Sequence, residues 1–297
     1  NKEQLLYHDH SYLFTQARKQ ILPRVKRYTV TDNGVRQYNY LKDNVDTSKP
    51  ENRYLKTEEG ILVRTNLIAK MFTLTVNKMS ALDPYGMGIE MEGGKPGWYD
   101  ALNGLPGLLG SSMAETYETY RMVCWLLSAI DEFDQSVDMP AEVDALARAL
   151  ALACNCHMEE MDSDGQAYGL WTDLNDAKEA FWEKTAKTIS GTYVSWNKEM
   201  QKTLLGLFEV VLRKGIEKAQ RIGGPVCPTY FYYEVTQYEK IEQGLMPCQF
   251  QVHRTPDFLE GSVHMLKLDR FADQKQKVYD HVRNSRLYDQ KLKMYKV

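Results

Sequence analysis

A mainly α fold with long loops and little strand is what this sequence predicts, on three observations. Apolar residues recur at mixed spacings of three and four along most of the chain, which is the signature of one helix face. Cap and stop residues bracket several of those stretches. Gly- and Pro-rich segments separate them.

The elements follow in chain order. Leu5 to Val25 carries the helical spacing and reads as an amphipathic helix ending near Pro23. Residues 26–60 are polar and broken, so they read as a surface excursion with a turn at Asp32-Asn33-Gly34. Thr65 to Leu82 is strongly apolar and reads as a buried helix. Arg64 opens it, either as a surface residue or as a partner for a loop carboxylate. Ser112 stands three residues before Glu115, a capping-box pattern that opens a helix running to about Phe133. Pro140 suits the first turn of the next helix, which runs to about Met161. Residues 171–189 and 196–222 are charge-laced with an apolar stripe. With Gly191 between them and Gly223-Gly224-Pro225 after them, they read as a helical hairpin inside a helical excursion over 134–225. The aromatic stretch TYFYYEVTQYEKI reads as a short strand or an extended cleft wall. Residues 244–265 form an irregular stretch, and a last helix from about Asp269 to His281 precedes a basic tail.

At 297 residues, 43% hydrophobic and 26% charged, the chain can build one large globular domain or two small ones. A net charge of -3 gives no electrostatic footprint for nucleic acid. No apolar run reaches the roughly 18 residues of a membrane span. Five cysteines are an odd number in a large chain, which is no disulfide framework and suits a reducing, cytoplasmic compartment. Cys154, Cys156 and His157 form a C-x-C-H cluster without a second ligand pair nearby. Buried helix residues are favoured there over a metal site.

The chemistry concentrates in Asp83–Gly110, DPYGMGIEMEGGKPGWYDALNGLPGLLG. Long irregular loops inside a compact domain are uncommon and usually functional. This one holds Asp83, Glu90, Glu92 and Asp100 beside Tyr85, Trp98, Tyr99 and Asn103. Such a set suits a sugar site, where aromatic faces stack on pyranose rings, amides bind hydroxyls and a carboxylic acid protonates a leaving oxygen. Asp100 is either that acid, kept protonated by burial or by a neighbouring carboxylate, or a turn cap. Glu90 and Glu92 share a face if extended, as hydroxyl ligands or as a solvated acidic turn. Lys95 is a counter-charge for the loop or a surface residue. The glycine spacing fits neither phosphate-binding fingerprint. His253 and Arg254 form a cationic pair that suits an anion such as phosphate, or a surface ion pair.

Around Asp100 the sequence resembles cellobiose phosphorylase-like proteins allied to glycoside hydrolase family 94. The family motif G-D-W-N-D-x-x-N lines up with P-G-W-Y-D-A-L-N, which sets Asp100 on the general acid and Trp98 and Asn103 on their counterparts. Gly97 replaces the first Asp of the motif. The longer strings YGMGIEMEGGKPGWYDALNGLPGLLGSS, PTYFYYEV and DFLEGSVHMLK resemble a subgroup of large multidomain bacterial proteins. The resemblance implies part of an (α/α)6 toroid, a six-hairpin glycosidase-like fold, over 1–297. It implies inverting cleavage or formation of a β-glucosidic bond in an oligosaccharide, with inorganic phosphate as co-substrate and no other cofactor. The rest of a longer polypeptide would complete the domain. An inverting β-glucan hydrolase using a second carboxylate such as Glu92 is the alternative. A non-catalytic carbohydrate-binding or scaffold domain is an alternative of another class, favoured by Gly97.

Overall fold

The computed structural model describes residues 2–38, 40–91 and 107–296. About 48% of the chain is helical and 24% is strand, so the fold is mainly α with more strand than expected.

The best-signalled helices form where their caps predict. Helix α1 (Leu67–Met79) starts at Asn66, whose Oδ1 accepts the Ala69 amide at 2.8 Å. Its Ile68, Phe72, Val76 and Met79 are fully buried. Helix α2 (Met113–Phe133) starts at Ser112, whose Oγ accepts the Glu115 amide at 3.4 Å. It stops at Asp134, which turns left-handed at φ 49°. Pro140 is the N-cap of α3 (Ala141–Cys156), and α4 follows at Tyr168–Lys184. Asn197 caps α5 (Lys198–Gly223) by accepting the Met200 amide at 2.9 Å.

Helices α4 and α5 do not pack as the expected hairpin. Instead α2 packs against α5 and α3 against α4. The connection explains the difference. Beyond Gly191, Tyr193–Trp196 pairs antiparallel with Val137–Pro140, and this ribbon carries the chain away from α4 before α5 begins. One core results, holding Phe72, Tyr117, Leu150, Leu174, Phe208 and Phe231. Leu150, Leu174 and Phe208 come from the 134–225 stretch, which therefore shares that core.

Against the helices lies a four-stranded antiparallel sheet. Its strands are β1 (Ile89–Glu90), β2 (Leu109–Ser112), β3 (Tyr230–Ile241) and β4 (Gly244–Arg254), in the order β4-β3-β2-β1. The aromatic stretch is thus a long strand. The stretch expected to be irregular is its hairpin partner, followed by a short helix, Leu259–Met265. Pro247 fits there because β4 is an edge strand, where a residue without an N–H is tolerated.

The N-terminal segment departs furthest from its periodicity. Gln4–His8 forms a helical turn and Arg24–Lys26 a short 3-10 turn at the other end. Tyr12–Leu13 then pairs with Arg64–Thr65, and Lys19–Ile21 pairs with Leu41–Asp43. The intervening His-Asp-His-Ser run has weak helix propensity, and edge partners are at hand, so the apolar doublets anchor an extended chain. Residues 26–60 are also more than a surface excursion. The expected turn at Asp32-Asn33-Gly34 closes a hairpin, with Gly34 at φ +94°, and its Tyr28 and Val35 pack on Leu245. Arg27, Gln37 and Tyr40 are buried beside it. The C-terminal helix is split: a 3-10 segment at Asp269–Gln274, itself kinked at the non-helical Phe271, meets an α-helix at Lys275–Asn284. Among the described residues, no helix is long and apolar enough to cross a membrane.

Candidate functional site

Asp100, Trp98, Asn103, Glu92 and Lys95 lie outside the described residues. The described residues at both ends of that segment form two buried polar clusters.

Asp83 organises the first. Its Oδ1 accepts the Tyr85 and Met87 amides, both at 3.0 Å. Its Oδ2 accepts the Gly88 amide at 2.5 Å, Ser111 Oγ at 2.7 Å and Tyr233 Oη at 2.5 Å. A Cβ on Gly88 would run into Ser111 and Asp83, so only glycine permits this approach. Burial pushes the Asp83 carboxyl above its usual value, and the Tyr233, Met87, Ser111 and Gly88 donors offset this only in part. Five donors on one carboxylate fill its acceptor capacity, so Asp83 clamps the turn 83–88 to β2 and β3 and has no lone pair for substrate. Tyr85, expected as a sugar platform, belongs to this clamp. It stacks on Tyr233 at 5.6 Å between centroids, donates to the Phe250 carbonyl at 3.1 Å and is 7% exposed. That is core packing rather than an open stacking face. Lys218 of α5 places its Nζ 5.5 Å from the Tyr85 ring centroid and is fully buried. Burial pushes its ammonium down to about 8, against the pull of Asp83.

Glu90 organises the second cluster. It sits on β1, one residue before Met91, whose amide donates to the Gly110 carbonyl at 2.8 Å. Glu90 Oε1 accepts Trp171 Nε1 at 2.6 Å, and Oε2 accepts Lys178 Nζ at 3.2 Å. Both members of the ion pair are almost wholly buried. Burial lowers the Lys178 pKa and nearby Arg27 lowers it further, against the attraction of Glu90. Arg24 stacks over Trp171 at 5.6 Å and reaches Asp176 at 2.5 Å, while Arg27 reaches Glu179 at 3.2 Å. Among the described residues each Glu90 oxygen holds one donor and keeps acceptor capacity, unlike Asp83. The chain returns at Gly107, whose carbonyl accepts the buried Gln37 amide at 2.7 Å. Both ends of the segment are therefore fixed to the sheet side of the core.

The remaining candidates are placed elsewhere. His253 and Arg254 are neighbours on β4, so their side chains point to opposite faces. His253 stacks on Tyr232 at 4.7 Å and bonds Glu234 at 3.1 Å. Arg254 bonds the Gly223 carbonyl and Asp257. The two do not converge on one anion. Arg64 is exposed on its short strand. Cys154 is buried, with its thiol pushed up to about 12 by burial, whereas Cys156 is exposed. His157 binds Glu160 at 3.0 Å and Asp173 at 2.9 Å. The described residues hold no group of three or more His, Cys, Asp or Glu able to bind a metal.

Sequence reasoning missed Lys178, Lys218, Trp171 and Ser111. Lys178 had a signal, because it continues the buried stripe Leu170, Trp171, Leu174, Asn175 at helical spacing. A search of protein-family models finds none that matches the chain, and a search of curated proteins finds no match either.

Proposed function

We propose that this chain carries the acid-bearing loop of a carbohydrate-active enzyme that cleaves or forms a β-glucosidic bond with inversion, by phosphorolysis. Asp100 is the general acid, Trp98 stacks on the sugar, and Asn103 and Glu90 bind hydroxyls. The reading rests on the W-x-D-x-x-N pattern of the loop. Its support in the fold is Glu90, a buried carboxylate at the loop's departure point that is held by Trp171 and Lys178 and keeps acceptor capacity. The pairing of α2 with α5 and of α3 with α4 is compatible with part of an (α/α)6 toroid. In phosphorolysis the acid protonates the leaving glycosidic oxygen while phosphate attacks the anomeric carbon from the opposite face. The protein then needs no second carboxylate as base.

The test is turnover of cellobiose and of p-nitrophenyl β-glucoside by the full natural polypeptide, with and without phosphate. Glucose 1-phosphate release should depend on phosphate and should fall about 10²–10⁴-fold in Asp100→Asn, the usual contribution of a general acid. An unchanged rate in that variant removes Asp100 from the mechanism. Sugar binding without any turnover would assign the chain to a binding module instead, the reading that Gly97 favours.

A further inference from the structure

A cleft of ≈ 340 Å³ opens between the N-terminal extended segment, the start of α3 and the C-terminal end of α4. That volume lies within the range of small-molecule sites. Phe14, Gln16, Gln20, Asn44, Glu142 and Trp182 are in its lining, and Lys19 is its one cation among the described residues. The amides there have fixed orientations. Gln16 Nε2 donates to the Ala186 and Lys187 carbonyls at 2.9 and 3.1 Å, and Gln20 Nε2 donates to the Trp182 carbonyl at 3.1 Å. Asn44 Nδ2 donates to the Ala17 and Ala186 carbonyls at 3.0 and 2.5 Å. A backbone carbonyl can only accept, so each nitrogen is assigned by chemistry and each amide oxygen is left over as an acceptor.

Glu142 adds the strongest demand. It is 2% exposed, and its Oε1 accepts the Ser190 amide at 2.9 Å. Its Oε2 is buried and has no hydrogen bond among the described residues. Burial opposes its charge, but the Ser190 amide and hydroxyl, its own amide and Lys184 outweigh burial and hold the carboxyl below the usual range. The Ser190 hydroxyl and the Glu142 amide act on this carboxylate without forming a bond to Oε2, so one buried acceptor oxygen keeps capacity for a donor.

The ligand that matches is donor-rich, uncharged and partly apolar. An anion would face Glu142. A hydrocarbon would leave the acceptor oxygens unpaired, at a cost of about 1–3 kcal/mol for each one that is buried. A pyranose brings several hydroxyl donors and a C–H face that packs on an aromatic ring. We infer that this cleft is a second carbohydrate site, taking a small neutral saccharide whose hydroxyls donate to Glu142 and to the Gln16, Gln20 and Asn44 oxygens while a ring face lies on Trp182. The carbohydrate class rests on the cleft alone, and the choice of a glucoside as probe rests on the function proposed above. The wall of the cleft continues to the loop's base, because Lys178 Nζ lies 5.4 Å from the Trp182 ring centroid and also pairs with Glu90.

The test is fluorine NMR of the chain labelled with 5-fluorotryptophan, titrated with cellobiose in phosphate-free buffer. The five tryptophans give five resonances, with Trp182 and Trp98 assigned by Trp182→Phe and Trp98→Phe. Cellobiose should shift the Trp182 resonance saturably, with the same midpoint in Asp100→Asn. Ala17 is exposed at the cleft, and Ala17→Phe should fill its mouth and raise that midpoint about two- to tenfold, the loss of one stacking contact. An unmoved Trp182 resonance, or a shift whose midpoint Ala17→Phe leaves unchanged, overturns the assignment. The Trp98 resonance reports separately on the loop, so the loop reading can fail or hold independently of the cleft.

Discussion

Replacing Asp83 by asparagine keeps the shape of the clamp and turns one of its two acceptor arms into a donor. If the new NH₂ replaces Oδ1, it faces the Tyr85 and Met87 amides, which cannot reverse. If it replaces Oδ2, Ser111 and Tyr233 can rotate to accept, and only the Gly88 amide loses its acceptor. The second arrangement is less costly. One orphaned buried N–H costs about 1–3 kcal/mol, and where the folded carboxyl still holds its proton no charge-assisted bond is lost, so about 2 kcal/mol is expected. At roughly 2–4 °C per kcal/mol for a chain of this size, Asp83→Asn should melt about 4–8 °C below the parent at a pH near 4. The pH dependence is a sharper test. Burial raises the Asp83 carboxyl, so the folded chain keeps that proton to higher pH than the unfolded chain. Between the two pKa values the folded state binds more protons, and parent stability falls as pH rises. Asparagine has no proton to lose. The penalty should therefore be largest below the unfolded pKa and narrow as pH climbs through the folded one. Urea denaturation of both proteins from pH 4 to 8 measures this. A penalty under about 1 kcal/mol throughout, or one that widens with pH, refutes the clamp as described.

Two further perturbations probe the neighbouring charges. Glu90→Ala leaves Lys178 as an uncompensated buried charge and should destabilise by about 3–5 kcal/mol in urea titration, while adding Lys178→Met should recover part of the loss. Lys218→Met should stabilise the fold at pH 7 by about 1–3 kcal/mol, because the buried ammonium has no hydrogen bond among the described residues. Its folded pKa of about 8 lies below the unfolded 10.5, so parent stability rises with pH across that window and the advantage of methionine should shrink.

The sequence revealed local structure wherever the cause was local. Ser112 and Gly223-Gly224 mark helix ends with their own chemistry, and α2 starts and α5 stops where those marks predict. Partner choice was hidden, because which helix α4 packs against depends on a ribbon closed between residues 137–140 and 193–196. Leu5–Val25 has a helical spacing but a set of strand partners that no local pattern shows. Pro247 excludes a central strand, and only the sheet order reveals an edge. The loop was legible as a place, since acids and aromatics crowd it. Its support was not. Asp83 is satisfied by donors at 85, 87, 88, 111 and 233, which converge only after folding. Glu90 was read as a hydroxyl ligand without its Lys178 partner, which appeared in the sequence as one more charge on a charge-laced helix.

The two fixed ends of residues 92–106 bear on how this region can change over evolutionary time. Met91 is tied to Gly110, and Gly107 to Gln37, so the take-off and landing points are set by the scaffold and not by the segment between them. Once the ends are fixed, the entropy of closing the connection grows only with the logarithm of its length, about 0.6 kcal/mol for each doubling. Insertions, deletions and wholesale exchange of the segment are therefore thermodynamically inexpensive, provided Gly88, Ser111 and Gly107 keep their places. The base is held by many partners, so a change in the length of the connection need not disturb it.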